Sequence, residues 1–123
     1  MRNFRDIKVW AKGHELTLLI YQVSREFPRE EIYSLTNQIR RAAVSIPTNI
    51  AEGSARGSHG DFARFAQIAL GSASEVEYLL LLARDLQYVD APTHENLELR
   101  VVEIKRMLTA FVRKLRADSS AET

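Results

Sequence analysis

The sequence predicts an all-α protein, an antiparallel up-down-up-down four-helix bundle. Four stretches repeat their apolar residues at helical spacing, the connections between them are short, and no stretch alternates at the period of a strand. With 123 residues, 46% of them hydrophobic, the chain suits one core. We therefore expect a single domain over residues 1–117 and a flexible polar tail over residues 118–123.

The first predicted helix follows a polar lead-in, with Asp6 as its expected N-cap. It should end near Pro28, because proline disfavours helical backbone in the residue before it. Its apolar stripe comprises Val9, Leu16, Leu19, Ile20, Val23 and Phe27.

The second predicted helix, within Leu35 to Gly57, has a proline in its middle. Its apolar stripe comprises Leu35, Ile39, Ala42, Ala43, Ile46 and Ile50. Pro47 removes a backbone donor and crowds the carbonyl one turn earlier, which predicts a kink near Pro47. Two helices broken at Ile46 are the alternative. The kink is favoured because the stripe keeps its phase across the proline.

The third and fourth predicted helices begin at expected caps, Ser58 and Thr93, and a break spans Tyr88 to Pro92. Gly71 lies in the middle of the third helix, where glycine costs roughly 1 kcal/mol relative to alanine. The third stripe comprises Phe62, Phe65, Ala66, Ala69, Ala73, Val76, Leu80 and Ala83, and the fourth comprises Leu97, Val101, Ile104, Leu108, Phe111, Val112 and Leu115.

The residue types argue against a catalytic site, a bound metal ion and a bound cofactor. There is no cysteine, and the three histidines lie far apart without the Glu-x-x-His spacing of di-iron bundles. The glycine-rich segment Gly53 to Ser58 lacks the lysine ending of a phosphate loop and follows no strand. The longest apolar run, Tyr78 to Ala83, is too short for a membrane span. We expect a cytoplasmic protein that does not enter a membrane.

The outer face of the second helix is a candidate interface. Its residues are Arg40, Arg41, Val44, Ser45, Pro47, Thr48, Asn49, Glu52 and Arg56. One interpretation is a solvated face with Arg41 or Arg56 paired to Glu52. The others are a contact with a neighbouring subunit and arginine contacts with nucleic-acid phosphates.

The fourth helix carries the candidate nucleic-acid-binding residues. They are Arg100, Lys105, Arg106, Arg113, Lys114 and Arg116. A net charge of +1 is not that of an obligate nucleic-acid binder, but a local patch can be basic in a nearly neutral chain. The competing interpretation is the usual enrichment of cations at a helix C-terminus. Trp10 and Tyr21 could stack on bases, but their spacing favours a core or interface role.

Several segments resemble a known family. They are Phe4 to Trp10, Phe27-Pro28, Leu35 to Gly53 (LTNQIRRAAVSIPTNIAEG), Phe62 to Ala73 (FARFAQIALGSA) and Glu75 to Leu86. Together they resemble the bacterial four-helix-bundle family of 23S rRNA intervening-sequence proteins. The resemblance implies ring-like homopentamers and no established catalytic residues. A related branch comprises accessory proteins of diversity-generating retroelements, which partner a reverse transcriptase and bind nucleic acid.

These observations lead to one functional hypothesis and two alternatives. The hypothesis is a non-enzymatic homo-oligomer, a pentamer by the resemblance, that binds RNA or DNA or a nucleoprotein partner through its assembled surface. The first alternative is a structural or adaptor module that docks a protein partner without binding nucleic acid. The second is an enzyme, which a bound metal or a deep polar pocket would favour.

Overall fold

The computed structural model describes residues 3–121, and these form four α-helices and no strand, which confirms the all-α prediction. Two short 3₁₀ turns precede α1 and α2, at Phe4–Asp6 and Arg29–Glu31. The helices are α1 (Lys8–Ser24), α2 (Leu35–Ser54), α3 (His59–Asp85) and α4 (Ala91–Ala121).

Consecutive helices pack side by side, and α1 also contacts α4. Polar contacts give the directions. Between α1 and α2 they join Thr17 to Ala43 and Ser24 to Arg40, so the residue number rises in one helix as it falls in the other. Between α3 and α4 they join residues 77 and 67 to residues 105 and 116 respectively. Both pairs are therefore antiparallel, as expected for the up-down-up-down order.

The four apolar stripes meet in one core. Its largest fully buried side chains come from every helix: Leu16, Ile20, Ile39, Ile46, Ile50, Val76, Leu80, Val101, Ile104 and Leu108. All ten are apolar, so the hydrophobic effect is the main stabilising contribution at this centre. The structure buries the predicted stripes except for Leu19, Val23 and Phe111, which are half-buried and pack against the core.

The helix ends differ in places from the predicted ones. Asp6 lies in the first 3₁₀ turn, so the N-cap of α1 is Ile7, which makes no capping side-chain bond. Asp90, not Thr93, caps α4: its Oδ1 accepts the Thr93 N–H at 2.8 Å. Ser58 caps α3 as predicted, because its Oγ accepts the Asp61 N–H at 3.1 Å. Residues 118–121 of the predicted tail belong to α4, and residues 122–123 lie outside the described part.

Pro47 lies inside one continuous helix, so α2 is not broken at Ile46. The bend at this position stays a prediction. Proline has no N–H, and the Ala43 carbonyl therefore lacks its helical donor. The buried Thr17 hydroxyl of α1 lies 3.1 Å from that carbonyl and 2.8 Å from the Gly13 carbonyl. The single hydroxyl proton is shared between the two carbonyls, so a side chain of α1 supplies a donor to the acceptor that the proline leaves open in α2.

Gly13 permits this close approach of α1 to α2. A Cβ atom at Gly13 would lie 2.9 Å from Cγ2 of Ile46 and 3.5 Å from Cδ of Pro47. The first distance is well below the separation of about 3.5–4.0 Å at which two carbon atoms are in optimal contact. Any side chain at position 13 would therefore push α1 away from α2, and the Thr17 hydroxyl would move with it.

We expect Thr17→Val to lower the free energy of unfolding by about 1–3 kcal/mol, because it leaves the Ala43 carbonyl buried without a donor. Urea denaturation should show a lower midpoint at an unchanged slope. Thr109→Val is the matched control, since the exposed Thr109 hydroxyl donates to the Lys105 carbonyl within α4. It should change stability by less than about 0.5 kcal/mol. Equal losses in the two variants would contradict this role for Thr17.

Glu31 connects the turn before α2 to the α3–α4 connection. Its carboxylate accepts hydrogen bonds from the Ser34 hydroxyl, from the Tyr88 hydroxyl at 2.8 Å and from the Leu35 N–H at 3.3 Å. The Ser34 bond, followed by those of Tyr88 and Leu35, lowers the pKa of Glu31 below its ordinary value of 4.5. The hydrogen bond to Glu31 raises the pKa of Tyr88 above 10.0.

These shifts predict where the connection weakens with pH. A lowered pKa in the folded state means that the Glu31 contribution is complete above pH 4.5 and is lost as the pH falls below it. The Tyr88 contribution is complete below pH 10.0 and is lost as the pH rises above it. We expect the difference in melting temperature between wild type and Glu31→Gln to shrink from about pH 6 to about pH 3. A difference independent of pH over this range would contradict the assignment.

Candidate nucleic-acid interface

Two of the six basic candidates in α4 neutralise carboxylates of neighbouring helices. Nη1 of Arg100 lies 2.8 Å from Oε1 of Glu15 in α1, and Nζ of Lys105 lies 2.7 Å from Oε1 of Glu77 in α3. These ion pairs connect α4 to both helices that flank it. Arg100 and Lys105 therefore add less to the outward positive potential than the sequence suggests.

The other four candidates have uncharged partners or none. Nη2 of Arg116 donates to Oε1 of Gln67 at 3.4 Å, so its charge is not neutralised. Arg106, Arg113 and Lys114 are exposed, and the structure shows no hydrogen bond or ion pair for them within residues 3–121. The free positive charge of α4 is thus concentrated in its C-terminal half.

Arg106 and Arg113 form what we call the arginine face. They are seven residues apart, which is two helical turns or about 10 Å along α4. Both line a shallow cleft of about 430 Å³ whose other residues include Thr109 and Ala110. Glu77 lies at its edge, but Lys105 neutralises it. Two guanidinium groups with free donors on one helix face can bind phosphate oxygens through charge-assisted hydrogen bonds.

The candidate interface of α2 does not form one surface. Arg40 points toward α1, where its Nε donates to Ser24 Oγ at 2.7 Å and its guanidinium lies 4.8 Å from the Tyr21 ring centre. Ser45 points toward α3, and its hydroxyl lies 2.7 Å from that of Ser72. Asn49 donates back to the Ser45 carbonyl at 2.8 Å. The polar groups of these three residues therefore form hydrogen bonds with each other or with the adjacent helices.

The predicted ion pair on α2 is not formed. The Arg56 guanidinium lies 4.5 Å from the centre of the Phe65 ring, a cation–π contact with α3. Neither Glu52 nor Arg41 has an ion-pair partner in the described part of the chain, although both are exposed. Pro47 is buried against Gly13. The interface role of these residues stays a prediction.

Three exposed α2 candidates border a groove between α1 and α2. Val44, Thr48 and Glu52 line it from α2, and Trp10 and His14 line it from α1, around a volume of about 630 Å³. The Trp10 and His14 rings are stacked with centres 5.1 Å apart and planes 9° apart. Trp10 is half-buried in this stack, which agrees with the packing role that its spacing favours.

The structure also contains a cavity at one end of the bundle, which we call the end cavity and which was not predicted from the sequence. It occupies about 310 Å³ where the α2–α3 connection meets the last turns of α4, and its lining includes Arg56, Phe62, Phe111, Lys114 and Asp118. The sequence assigns both phenylalanines to core stripes, correctly for the buried Phe62. Periodicity shows which face of a helix is apolar, but it does not show that the packing leaves a cavity at one end of the bundle.

The structure offers no arrangement for metal catalysis in the described residues 3–121, where no three His, Cys, Asp or Glu side chains could hold an ion. His94 is buried, and its Nε2 lies 3.6 Å from Oε2 of Glu98 without a hydrogen bond. In the same part of the chain one helix, α3, has the length and apolar composition of a membrane span. Its apolar face lies in the core between α2 and α4. A buried core helix can have the same length and apolar composition as a membrane span.

Fold and site together define a small all-α protein with four helices and an exposed basic face on the last of them. The family model of the 23S rRNA-intervening sequence proteins matches residues 5–110, and the chain belongs to that family. A solved structure of a protein of unknown function from the S23 ribosomal protein family of Bacteroides thetaiotaomicron is similar, with a TM-score of 0.79 and 28% identity. The match covers 85% of this chain and 97% of that one. No curated protein matches the chain.

Proposed function

We propose that this chain is a non-enzymatic, homo-oligomeric protein that binds RNA or DNA, or a nucleoprotein partner, through the surface of its assembly. The observation that carries the proposal is the arginine face, where Arg106 and Arg113 are exposed and unpartnered two turns apart. Membership of the 23S rRNA-intervening sequence protein family is compatible with it.

Assembly makes a small basic face effective. Two arginines per chain supply few phosphate contacts, but a ring repeats the face once in each subunit, and linked weak contacts add to a large avidity. The resemblance implies a homopentamer, which would present ten such guanidinium groups. Binding that rests on phosphate contacts weakens steeply with salt, because each contact releases counterions.

Exposed apolar side chains on α3 and on Leu86, the residue that follows it, support the homo-oligomer. Ile68, Tyr78, Leu81 and Leu86 are 45%, 59%, 37% and 44% exposed. Gly71 lies among them, and a Cβ there would meet no atom within 4 Å, so nothing inside the subunit requires glycine at this position. At the helical spacing of 100° per residue they spread over about 140° of the outer surface, and exposed apolar residues on an outer helix are typical of protein contact surfaces.

The same face of α3 favours a second candidate function, an adaptor that docks a protein partner and binds no nucleic acid. The two functions differ in what the purified protein carries. An adaptor would retain a specific protein and no polynucleotide. By extension of the family resemblance, a nucleoprotein partner would contain a reverse transcriptase. We also propose that the protein is cytoplasmic and does not bind a membrane.

One preparation tests assembly and binding together. The protein, purified without nuclease, should give a mass of about 70 kDa by light scattering, which is the mass of the proposed pentamer of 14.0 kDa chains. Its absorbance ratio at 260 and 280 nm should reveal bound nucleic acid, and fluorescence anisotropy should show an affinity that falls as salt rises. A monomeric mass at micromolar concentration would refute the assembly. Failure of the intact oligomer to bind RNA or DNA at low salt would refute the nucleic-acid function.

A further inference from the structure

The end cavity combines an aromatic surface with a charged rim. The rings of Phe62 and Phe111 pack edge to face with their centres 5.1 Å apart. Phe62 is buried, whereas Phe111 is half-buried and borders both the end cavity and a neighbouring pocket lined by Ile7 and Met107, so its exposed surface is shared between the two. The volume of about 310 Å³ lies at the lower end of the range for small-molecule pockets. It is therefore large enough for one flat ring system, not for a helix.

The charged side chains at the rim indicate which chemical groups a ligand would carry beside its flat ring system. Lys114 is exposed, and within the described residues it has no hydrogen-bond or ion-pair partner. The Arg56 guanidinium is held beside the cavity by its contact with Phe65. Asp118 supplies a carboxylate on the same rim. Cations suit a phosphate, while a carboxylate suits a group that donates hydrogen bonds. A nucleotide carries both, and an isolated phosphate does not.

We infer that the end cavity takes one unstacked base of a single-stranded nucleic acid, with Lys114 on an adjacent phosphate. The inference rests on the proposed function and specifies its substrate as single-stranded. Bases of a single strand can leave their neighbours and stack on an aromatic side chain, whereas a base within a duplex must first be unpaired and flipped out at a cost.

The position of the cavity on α4 fits this role. Lys114 directly follows Arg113 in the helix, about 100° further around it, so the arginine face and the cavity rim are adjacent. A strand whose phosphates contact Arg106 and Arg113 would have to curve about 100° around α4 to place a further phosphate on Lys114. The arginine face supplies contacts that duplex and single strand share, and the cavity supplies one that favours the single strand.

The test compares two fluorescein-labelled probes of about twenty nucleotides per strand, oligo(dT) and a mixed-sequence DNA duplex. Anisotropy titrations of the full chain should show tighter binding of oligo(dT). Phe111→Leu keeps an apolar side chain but removes the aromatic ring, and it should weaken oligo(dT) binding at least about fivefold while duplex binding stays unchanged. Lys114→Gln, at an exposed site where folding is not at risk, should weaken oligo(dT) binding more than duplex binding.

The outcomes separate this inference from the proposed function. If wild type binds neither probe at low salt, the nucleic-acid function is refuted and the inference with it. If wild type binds both probes equally, or if the variants weaken both equally, the end cavity is not a base site although nucleic-acid binding stands. Should Phe111→Leu fail to fold, as circular dichroism would show, Lys114→Gln decides between the same two results.

Discussion

Reversing both charges of the arginine face, in Arg106→Glu/Arg113→Glu, should weaken nucleic-acid binding at least tenfold at about 0.1 M salt. The variant removes two phosphate contacts in each engaged subunit and replaces them with repulsion. Each contact contributes about −0.9 to the slope of log affinity against log salt on duplex DNA and about −0.7 on a single strand, so the slope should become shallower by about 1.4 to 1.8 per engaged subunit. Anisotropy titrations at several salt concentrations measure both quantities.

The matched control reverses two arginines elsewhere. Arg25 and Arg29 lie in the α1–α2 connection, outside α4, and both are exposed. Arg25→Glu/Arg29→Glu changes the net charge by the same amount, so any general charge effect appears equally in the two variants. A loss of affinity as large in the control would show that total charge, and not the arginine face, governs binding. Light scattering on both variants confirms that the comparison is between intact oligomers.

Gly53→Ala should lower the free energy of unfolding by about 1–3 kcal/mol, the usual range for inserting a carbon atom into a packed site. A Cβ at Gly53 would lie 2.6 Å from Cδ1 of Phe62 and 2.9 Å from Cβ of Phe65. The Phe65 Cβ is attached directly to the α3 backbone and cannot rotate away. Either α3 moves away from the end of α2, or the Phe62 ring is displaced.

Two other glycines serve as controls for Gly53→Ala in the same urea denaturation experiments. A Cβ at Gly57 or Gly71 would meet no atom within 4 Å. Gly57→Ala lies outside the helices and should change stability little. Gly71→Ala lies within α3 and should raise stability by about 1 kcal/mol through helix propensity. A loss in Gly53→Ala no larger than in Gly57→Ala would show that the α2–α3 contact yields without cost.

Local patterns made the fold predictable. Apolar periodicity places Ile39, Ile46 and Leu80 in the core without any knowledge of their neighbours, and the Ser58 cap follows from its position before a helical pattern. Cap choice is harder where two candidates compete. Asp90 and Thr93 are both good capping residues, and the structure selects the one three residues earlier.

The candidate site was less predictable, because its properties depend on contacts between helices. The sequence shows six basic residues in α4 but not that Glu15 and Glu77 neutralise Arg100 and Lys105. Those carboxylates lie 85 and 28 positions from their partners. The sequence also does not show that Arg40 and Ser45 of the α2 candidates find partners on opposite neighbouring helices, and the interface role of that face stays a prediction.

The hydroxyl of Thr17 has a consequence for the order in which the bundle opens. Because the Ala43 carbonyl has no helical donor of its own, separation of α1 would leave the middle of α2 with an unmet backbone acceptor. Local opening of α1 should therefore loosen α2 as well, and the two helices should form one cooperative unit in native-state hydrogen exchange. Amides around Ile20 and Ile50 are then expected to exchange with the same opening free energy, and Thr17→Val should lower both together.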